Sequence, residues 1–223
     1  MNLTRGPWRD RADAGRELAE AVRGALAAPG GRELVPVVLG LPRGGVVVAS
    51  EVATALGADL DVLVVRKVGV PWHRELALGA VTASGVRVHN AEVFRQAHLS
   101  EHDMEAAFAT AEREAGEREQ WFRAGRPAVA VGGRRAIVVD DGIATGATTL
   151  AAVQLLRNMD PPPALVMLAV PVAPRETVNR LASHVDTLVV LHGPVNFAAV
   201  GEWFLDFTQV SDAEVQQIME GAR

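Results

Sequence analysis

Residues 136–150 read AIVVDDGIATGATTL. An apolar run of strand length ends in two adjacent acids, Asp140 and Asp141. A loop of small and hydroxyl residues follows, and a helix begins near Ala147. Glycines in such a loop let backbone N–H groups converge on an anion, and the helix adds its positive end. Thr145, Thr148 and Thr149 add hydroxyl donors, and the loop lacks the Gly-Lys-Ser/Thr of a Walker A motif. An ordinary strand-to-helix turn has the same backbone outline but no use for two carboxylates. Side by side at a sheet edge they repel, and burying them unpaired is costly. A sugar diol, a Mg²⁺ ion, or a helix N-cap with a surface ion pair would each relieve them.

Outward from this stretch the chain alternates strands and helices. Val35–Leu41 is a valine-rich run suited to a strand buried on both faces, and it opens into Pro42-Arg43-Gly44-Gly45. Val46–Leu56 has helix length, and Asp61–Val65 reads as a second strand ending in Arg66 and Lys67. This is a βαβ unit with a right-handed crossover expected. Downstream, a helix over 147–159, a strand over 165–170, a helix over 175–183 and a strand over 187–191 are predicted. Within Trp8–Ala28 apolar spacings of three and four predict an amphipathic helix, ended by Pro29-Gly30-Gly31. Ser100 with Asp103 and Ser211 with Glu214 read as capping boxes for two further helices. The first of these runs to about Arg123. Its Glu114–Arg118 pair has the supportive i,i+4 spacing, and its charges read as a solvated face. Val68–Asn90 breaks the pattern, with short β-like pieces around a Ser84-Gly85 turn, and predicts a hairpin lid.

The expected fold is α/β: a three-layer parallel sheet of about five strands with helices on both faces. A lid excursion over about 68–90 and a small C-terminal hood over about 192–210 complete a single domain spanning 1–223. In such sheets the ligand lies outside the carboxyl ends of the strands. That rule gathers Arg43-Gly44-Gly45, Arg66-Lys67, the acid pair with its cradle, and the aromatic hood around one crevice.

Bulk composition narrows the function classes. A net charge of −5 over 223 residues argues against general nucleic-acid binding. The absence of cysteine removes disulfides, thiolate nucleophiles and cysteine metal sites. No signal-type apolar run opens the chain, and no stretch approaches the roughly 20 apolar residues of a membrane span, so the cytoplasm is expected. Lys67 is the single lysine against 21 arginines, which directs attention to its place beside the crevice.

VVDDGIATGATT resembles the phosphoribosyl pyrophosphate signature of the type I phosphoribosyltransferase family: apolar residues, two acids, then a small-residue loop with Thr-Gly. The order of elements agrees over most of residues 35–191. LPRGG, VVRKVG and the closing VGEWFLDF resemble a group of bacterial phosphoribosyltransferase-like proteins of ill-defined substrate. The resemblance implies that Asp140 and Asp141 hold the ribose 2- and 3-hydroxyls and meet Mg²⁺ indirectly or through the substrate. It places the 5-phosphate on Gly142–Thr149, including Ala144, Thr145, Gly146, Ala147, Thr148 and Thr149. Arg43 and Gly44, with Gly45 beside them, would meet the pyrophosphate with Mg²⁺; Lys67, with Arg66 beside it, would neutralise the leaving group. The Val68–Ser84 excursion matches the family's mobile loop, residues after His192 form a hood that selects the acceptor, and a homodimer is expected. In the hypoxanthine-guanine branch an aspartate inside the signature loop is the proposed general base. Ala144 stands there in this chain, so the loop cannot deprotonate the acceptor.

These residues point to transfer of 5-phosphoribose from phosphoribosyl pyrophosphate to a nitrogen nucleophile, with a nucleobase or similar planar base as acceptor. Phe197, Trp203 and Phe207 are candidate stacking rings, and core filling is the other use of each. Asp206 is a candidate reader of an exocyclic amine, and His73 and Glu75 on the lid are candidate bases. A ligand-binding regulator of a partner, and a hydrolase with water as acceptor, are the alternatives on the same site.

Overall fold

The computed structural model describes residues 7–27, 34–70, 73–90, 93, 95 and 100–222. Pro29-Gly30-Gly31 and Trp72 lie outside the described residues, as do the side chains of His73 and Glu75. Helix α1 (Arg11–Leu26) is followed by β1 (Pro36–Gly40), α2 (Gly44–Leu56) and β2 (Asp59–Val62). Strands β3 (Val65–Val70), β4 (His73–Thr82) and β5 (Arg87–His89) come next, and then the long helix α3 (Glu101–Arg123). The second half runs β6 (Arg135–Val139), α4 (Ala147–Arg157), β7 (Leu165–Val172), α5 (Arg175–Ala182) and β8 (Thr187–His192). A 3₁₀ turn (Val200–Trp203) and α6 (Asp212–Gly221) close it.

The main sheet has five strands in the order β2-β1-β6-β7-β8, with every pair parallel. Its core is built by period-two alternation. Val38, Ile137, Val139, Met167 and Ala169 face one way and pack with α1, α2 and α6. Val37, Leu39, Ala136, Val138 and Leu168 face the other and meet Ala152, Val153 and Leu156 of α4 and Leu181 of α5. The predicted three-layer α/β sheet is therefore the fold observed. No described helix is long and apolar enough to cross a membrane.

The second strand is corrected. DVLVVRKVGV reads as one apolar run into a basic pair, but it is two strands in two sheets. The chain leaves the main sheet after Val62, and the Val64 N–H donates to Glu119 Oε1 of α3 at 3.2 Å. A side chain 55 residues downstream thus takes a backbone donor that a longer β2 would have placed in the ladder. Arg66 and Lys67 consequently sit in β3, at the start of a three-stranded antiparallel sheet, β3-β4-β5.

The excursion is also more built than a hairpin. Val68, Val70, Leu78 and Val81 pack under Phe108 and Ala111 of α3, forming a small core of their own. Helix α3 has the expected solvated face, with Glu101, Asp103, Glu105 and Arg113 exposed, and a buried face opposite. It buries Phe108, Ala115, Glu119 and Phe122, and the predicted Glu114–Arg118 pair gives way to longer-range partners: Glu114 meets Arg66, and Arg118 meets Asp212. Ser100 caps α3 through the Asp103 N–H, with its own hydroxyl donating to the Asp103 carboxylate; Ser211 and Glu214 form the reciprocal box expected for α6.

Candidate functional site

Strands β1 and β6 are neighbours, and connections run from them toward opposite edges of the sheet. The crevice outside their carboxyl ends is the topological switch point. Gly40 and Val139 are partners in register, so the Leu41–Gly45 loop and the acid pair leave the sheet side by side. Gly44 and Gly45 are required by that closeness. A Cβ on Gly44 would overlap the Asp141 carboxylate; on Gly45 it would come within 2.8 Å of the Val139 carbonyl oxygen. The Pro42–Arg43 peptide in this loop is cis.

The two acids are treated unequally. Asp140 Oδ1 accepts the Asp141 N–H at 2.9 Å. Burial, and then the neighbouring Asp141 charge, nevertheless hold its carboxyl well above the usual carboxylate range. Asp141 accepts from Arg11 Nε at 2.6 Å, and the two side chains are only 10% and 16% exposed. Arg11 belongs to the first turn of α1. Its Nη1 donates to the Thr208 carbonyl at 2.8 Å, and its guanidinium lies 3.8 Å from the centre of the Phe207 ring. The sequence reading missed Arg11, because nothing local joins residues 130 positions apart.

The proposed cradle residues form the loop between β6 and α4 and the first turn of that helix. Gly146 holds its helix-entry position with φ +69°, in the left-handed region that favours glycine. Thr177 Oγ1 donates to the Ala144 carbonyl at 2.8 Å, and Arg180 donates to the Thr145 carbonyl. Thr145, Ala147 and Thr148 are exposed, whereas Thr149 is buried. Gly142 packs closely on Val172 and Val200.

A cavity of about 450 Å³ opens beside the Leu41–Gly45 loop, lined by Arg43, Arg66, Arg118, Phe122 and Thr148 among others. It brings the loop, the start of the small sheet and the first turn of α4 to one space. Lys67, exposed on β3, is on the opposite face of its strand from Arg66 and so points away from α3. Arg118 is the second residue the sequence reading missed. It donates to Asp212 at 2.6 and 2.7 Å, and Arg43 reaches the same carboxylate at 3.5 Å.

The hood rings are engaged with one another. Phe197, Trp203 and Phe207 pack on a buried group of Trp8, Val172 and Phe204. Trp203 stacks on His192 at 5.2 Å, and Phe207 on Phe204 at 4.9 Å. All three rings pack on this group while remaining half-buried, each with part of its surface open. Asp206 accepts from the Thr208 hydroxyl and N–H at 2.6 and 2.9 Å, bonds that lower its carboxyl below the ordinary range.

Chemically, the crevice offers an acid pair, a hydroxyl-lined anion cradle and an arginine-lined cavity around one point. Among the described residues no group of three or more His, Asp or Glu could enclose a metal ion. Two adjacent carboxylates, one carrying Arg11, fit a divalent cation whose other ligands come from a bound diphosphate.

Comparison with known proteins agrees with this geometry. The model of the phosphoribosyl transferase domain matches residues 7–202. Two curated relatives from Mycobacterium tuberculosis, strains H37Rv and CDC 1551, each named "Putative phosphoribosyl transferase", are 48% identical over 213 residues. The match covers 96% of this chain and 46% of theirs, so the chain spans about half the length of these relatives. The crystal structure of TT1426 from Thermus thermophilus is 44% identical, with a TM-score of 0.81, and covers 97% of this chain and all of that one. The chain belongs to the phosphoribosyl transferase domain family.

Proposed function

We propose that this chain transfers 5-phosphoribose from phosphoribosyl pyrophosphate to a nitrogen nucleophile, releasing pyrophosphate. The observation that carries the reading is the acid pair at the switch point, flanked by the Gly44-Gly45 backbone on one side and the Gly142–Thr149 cradle on the other. Asp140 and Asp141 would hold the ribose hydroxyls, with Arg11 giving up part of its hold on Asp141. The cradle would hold the 5-phosphate, with Thr145 and Thr148 as accessible hydroxyl donors. The cavity lined by Arg43 and Arg66 would take the pyrophosphate.

In the reaction the bond from the anomeric carbon to the pyrophosphate oxygen breaks, and a bond to the acceptor nitrogen forms. The nitrogen's proton leaves to solvent or to a group on the lid. Charge leaves the sugar for the pyrophosphate, so preorganised cations around the departing anion are the main catalytic contribution expected. Arg43 and Arg66, which line that cavity, are assigned to it; Lys67, on the opposite face of β3, would reach the departing anion only through a turn of the strand. Mg²⁺, bound with the donor, would neutralise the same oxygens. The small sheet and α3 would exclude water, which otherwise competes for the sugar.

The deciding experiment measures pyrophosphate release from phosphoribosyl pyrophosphate across a panel of purines, pyrimidines and small amines. Release that requires one of these bases supports transfer. Release without any base makes the chain a hydrolase, and tight donor binding without release makes it a sensor. With an acceptor in hand, Lys67→Ala should lower kcat much more than it weakens donor binding; an unchanged kcat would remove Lys67 from the mechanism.

A further inference from the structure

Asp212 is the first residue of α6, far from the cradle in sequence, yet it lines a second cavity, of about 310 Å³, that shares Arg66 and Arg118 with the arginine-lined one. It bridges two guanidinium groups from different elements. Arg118 of α3 binds it through Nη1 and Nη2, at 2.7 Å to Oδ2 and 2.6 Å to Oδ1. Arg43, from the loop after β1, reaches Oδ1 at 3.5 Å, the long end of hydrogen-bonding range. The position is fixed from both sides. Val215 and Met219 anchor α6 in the core, and the Arg118 guanidinium rests 4.7 Å from the centre of the Phe122 ring. A carboxylate held by two forked cations presents the oxygen arrangement of one end of a phosphate group.

We propose that Asp212 is an internal competitor for the diphosphate end of the donor, and that Arg118 is a diphosphate-binding residue which Asp212 occupies until the donor arrives. The proposal rests on the function assigned above and adds two residues to it. The incoming diphosphate replaces the weaker Arg43 contact first, and only a side-chain rotation of Asp212 is then needed to release Arg118. Helix α6 need not move: Ser211, not Asp212, caps it, with Glu214 completing the box. The contact lowers resting affinity for a bare diphosphate and keeps Arg43 and Arg118 from repelling in its absence.

The test is calorimetric titration of the full chain with inorganic pyrophosphate and Mg²⁺, and separately with phosphoribosyl pyrophosphate. Asp212→Asn keeps the shape of the side chain and should bind pyrophosphate about tenfold tighter than wild type. Arg118→Ala should bind it at least tenfold more weakly, Arg118→Lys should recover part of that loss, and adding Asp212→Asn to Arg118→Ala should restore little. Glu117→Gln removes a charge from the same cavity, but Glu117 pairs with Arg113 and not with Arg118, so it should change affinity by no more than about twofold. An Asp212→Asn affinity equal to or weaker than wild type overturns the competitor. So does a Glu117→Gln gain as large as that of Asp212→Asn, which would mark a general field effect. If wild type binds phosphoribosyl pyrophosphate while these variants behave alike, the proposal falls and the functional reading stands. If neither wild type nor Asp212→Asn binds it, both fall.

Discussion

Two places in this molecule hold the same inventory, two carboxylates and one arginine, and use it in opposite ways. At the edge of the main sheet, Arg123 lies between Asp61 and Glu119. It donates to Asp61 at 2.8 and 3.1 Å and to Glu119 at 2.7 Å. Backbone N–H groups complete the set, from Val62 and Val129 to Asp61 and from Val64 to Glu119. At the switch point Arg11 reaches Asp141 alone, while Asp140 has one backbone N–H and a like charge beside it. The first set is buried and saturated, and it fastens α3 to β2. The second is left short of positive charge, which is the condition a ligand bearing hydroxyls or a cation can relieve. Saturation makes a scaffold; deficit makes a site.

The largest test of this contrast is on activity. Asp140→Asn should cut base-dependent pyrophosphate release roughly a thousandfold, about 4 kcal/mol in the barrier, while the chain stays folded. A variant within tenfold of wild type would move the site elsewhere. The scaffold set should respond in stability instead. Asp61→Ala leaves Arg123 with Glu119 alone, strands the Val62 and Val129 N–H groups and should cost about 3 kcal/mol, which lowers the melting temperature by roughly 6–12 °C. A loss below about 1 kcal/mol would mean that water satisfies those groups and that the set is not a fastening.

The deficit should also be visible as a pH dependence. The Asp140 carboxyl titrates well above its ordinary 3.8 in the folded chain because of burial and of Asp141. Its proton therefore favours folding; that contribution is complete below pH 3.8 and fades as pH rises through the raised pKa. Asp140→Asn should accordingly match wild type in acid and become the more stable protein as pH rises. Melting curves that keep the same separation from acid to high pH would show that the carboxyl is not strained. The smallest effect belongs to Glu119. Burial raises its carboxyl, against the pull of Arg123 and the Val64 N–H. Gln at this position keeps an acceptor for Val64 and leaves Arg123 on Asp61, so Glu119→Gln should stay within about 1 kcal/mol of wild type in urea unfolding at pH 7.

What could be read from the sequence was local. The acid pair, its cradle, the Gly44-Gly45 turn and the buried strands each declare themselves within a dozen residues, through hydrophobic period and turn chemistry. Arg11, Arg118 and Asp212 did not, because each acquires its meaning from a partner supplied by the fold: Asp141 for Arg11, and one another for the other two. An arginine on a charged helix looks the same whether it faces water or a carboxylate 94 residues away. The break between β2 and β3 was hidden for the same reason. No glycine or proline marks it, and its cause is Glu119 on a distant helix.

The bonds from Thr177 and Arg180 have a mechanical consequence for the cradle. Each grips a carbonyl, of Ala144 and Thr145 respectively. A peptide unit is planar, and in its trans form the N–H points opposite to the C=O. Turning those two carbonyls toward α5 therefore aims the amides of Thr145 and Gly146 the other way. A helix assigned no contact with the donor sets the heading of two groups that would grip its phosphate. Its grip can be loosened by a single methyl-for-hydroxyl exchange at residue 177, without altering any residue of the loop.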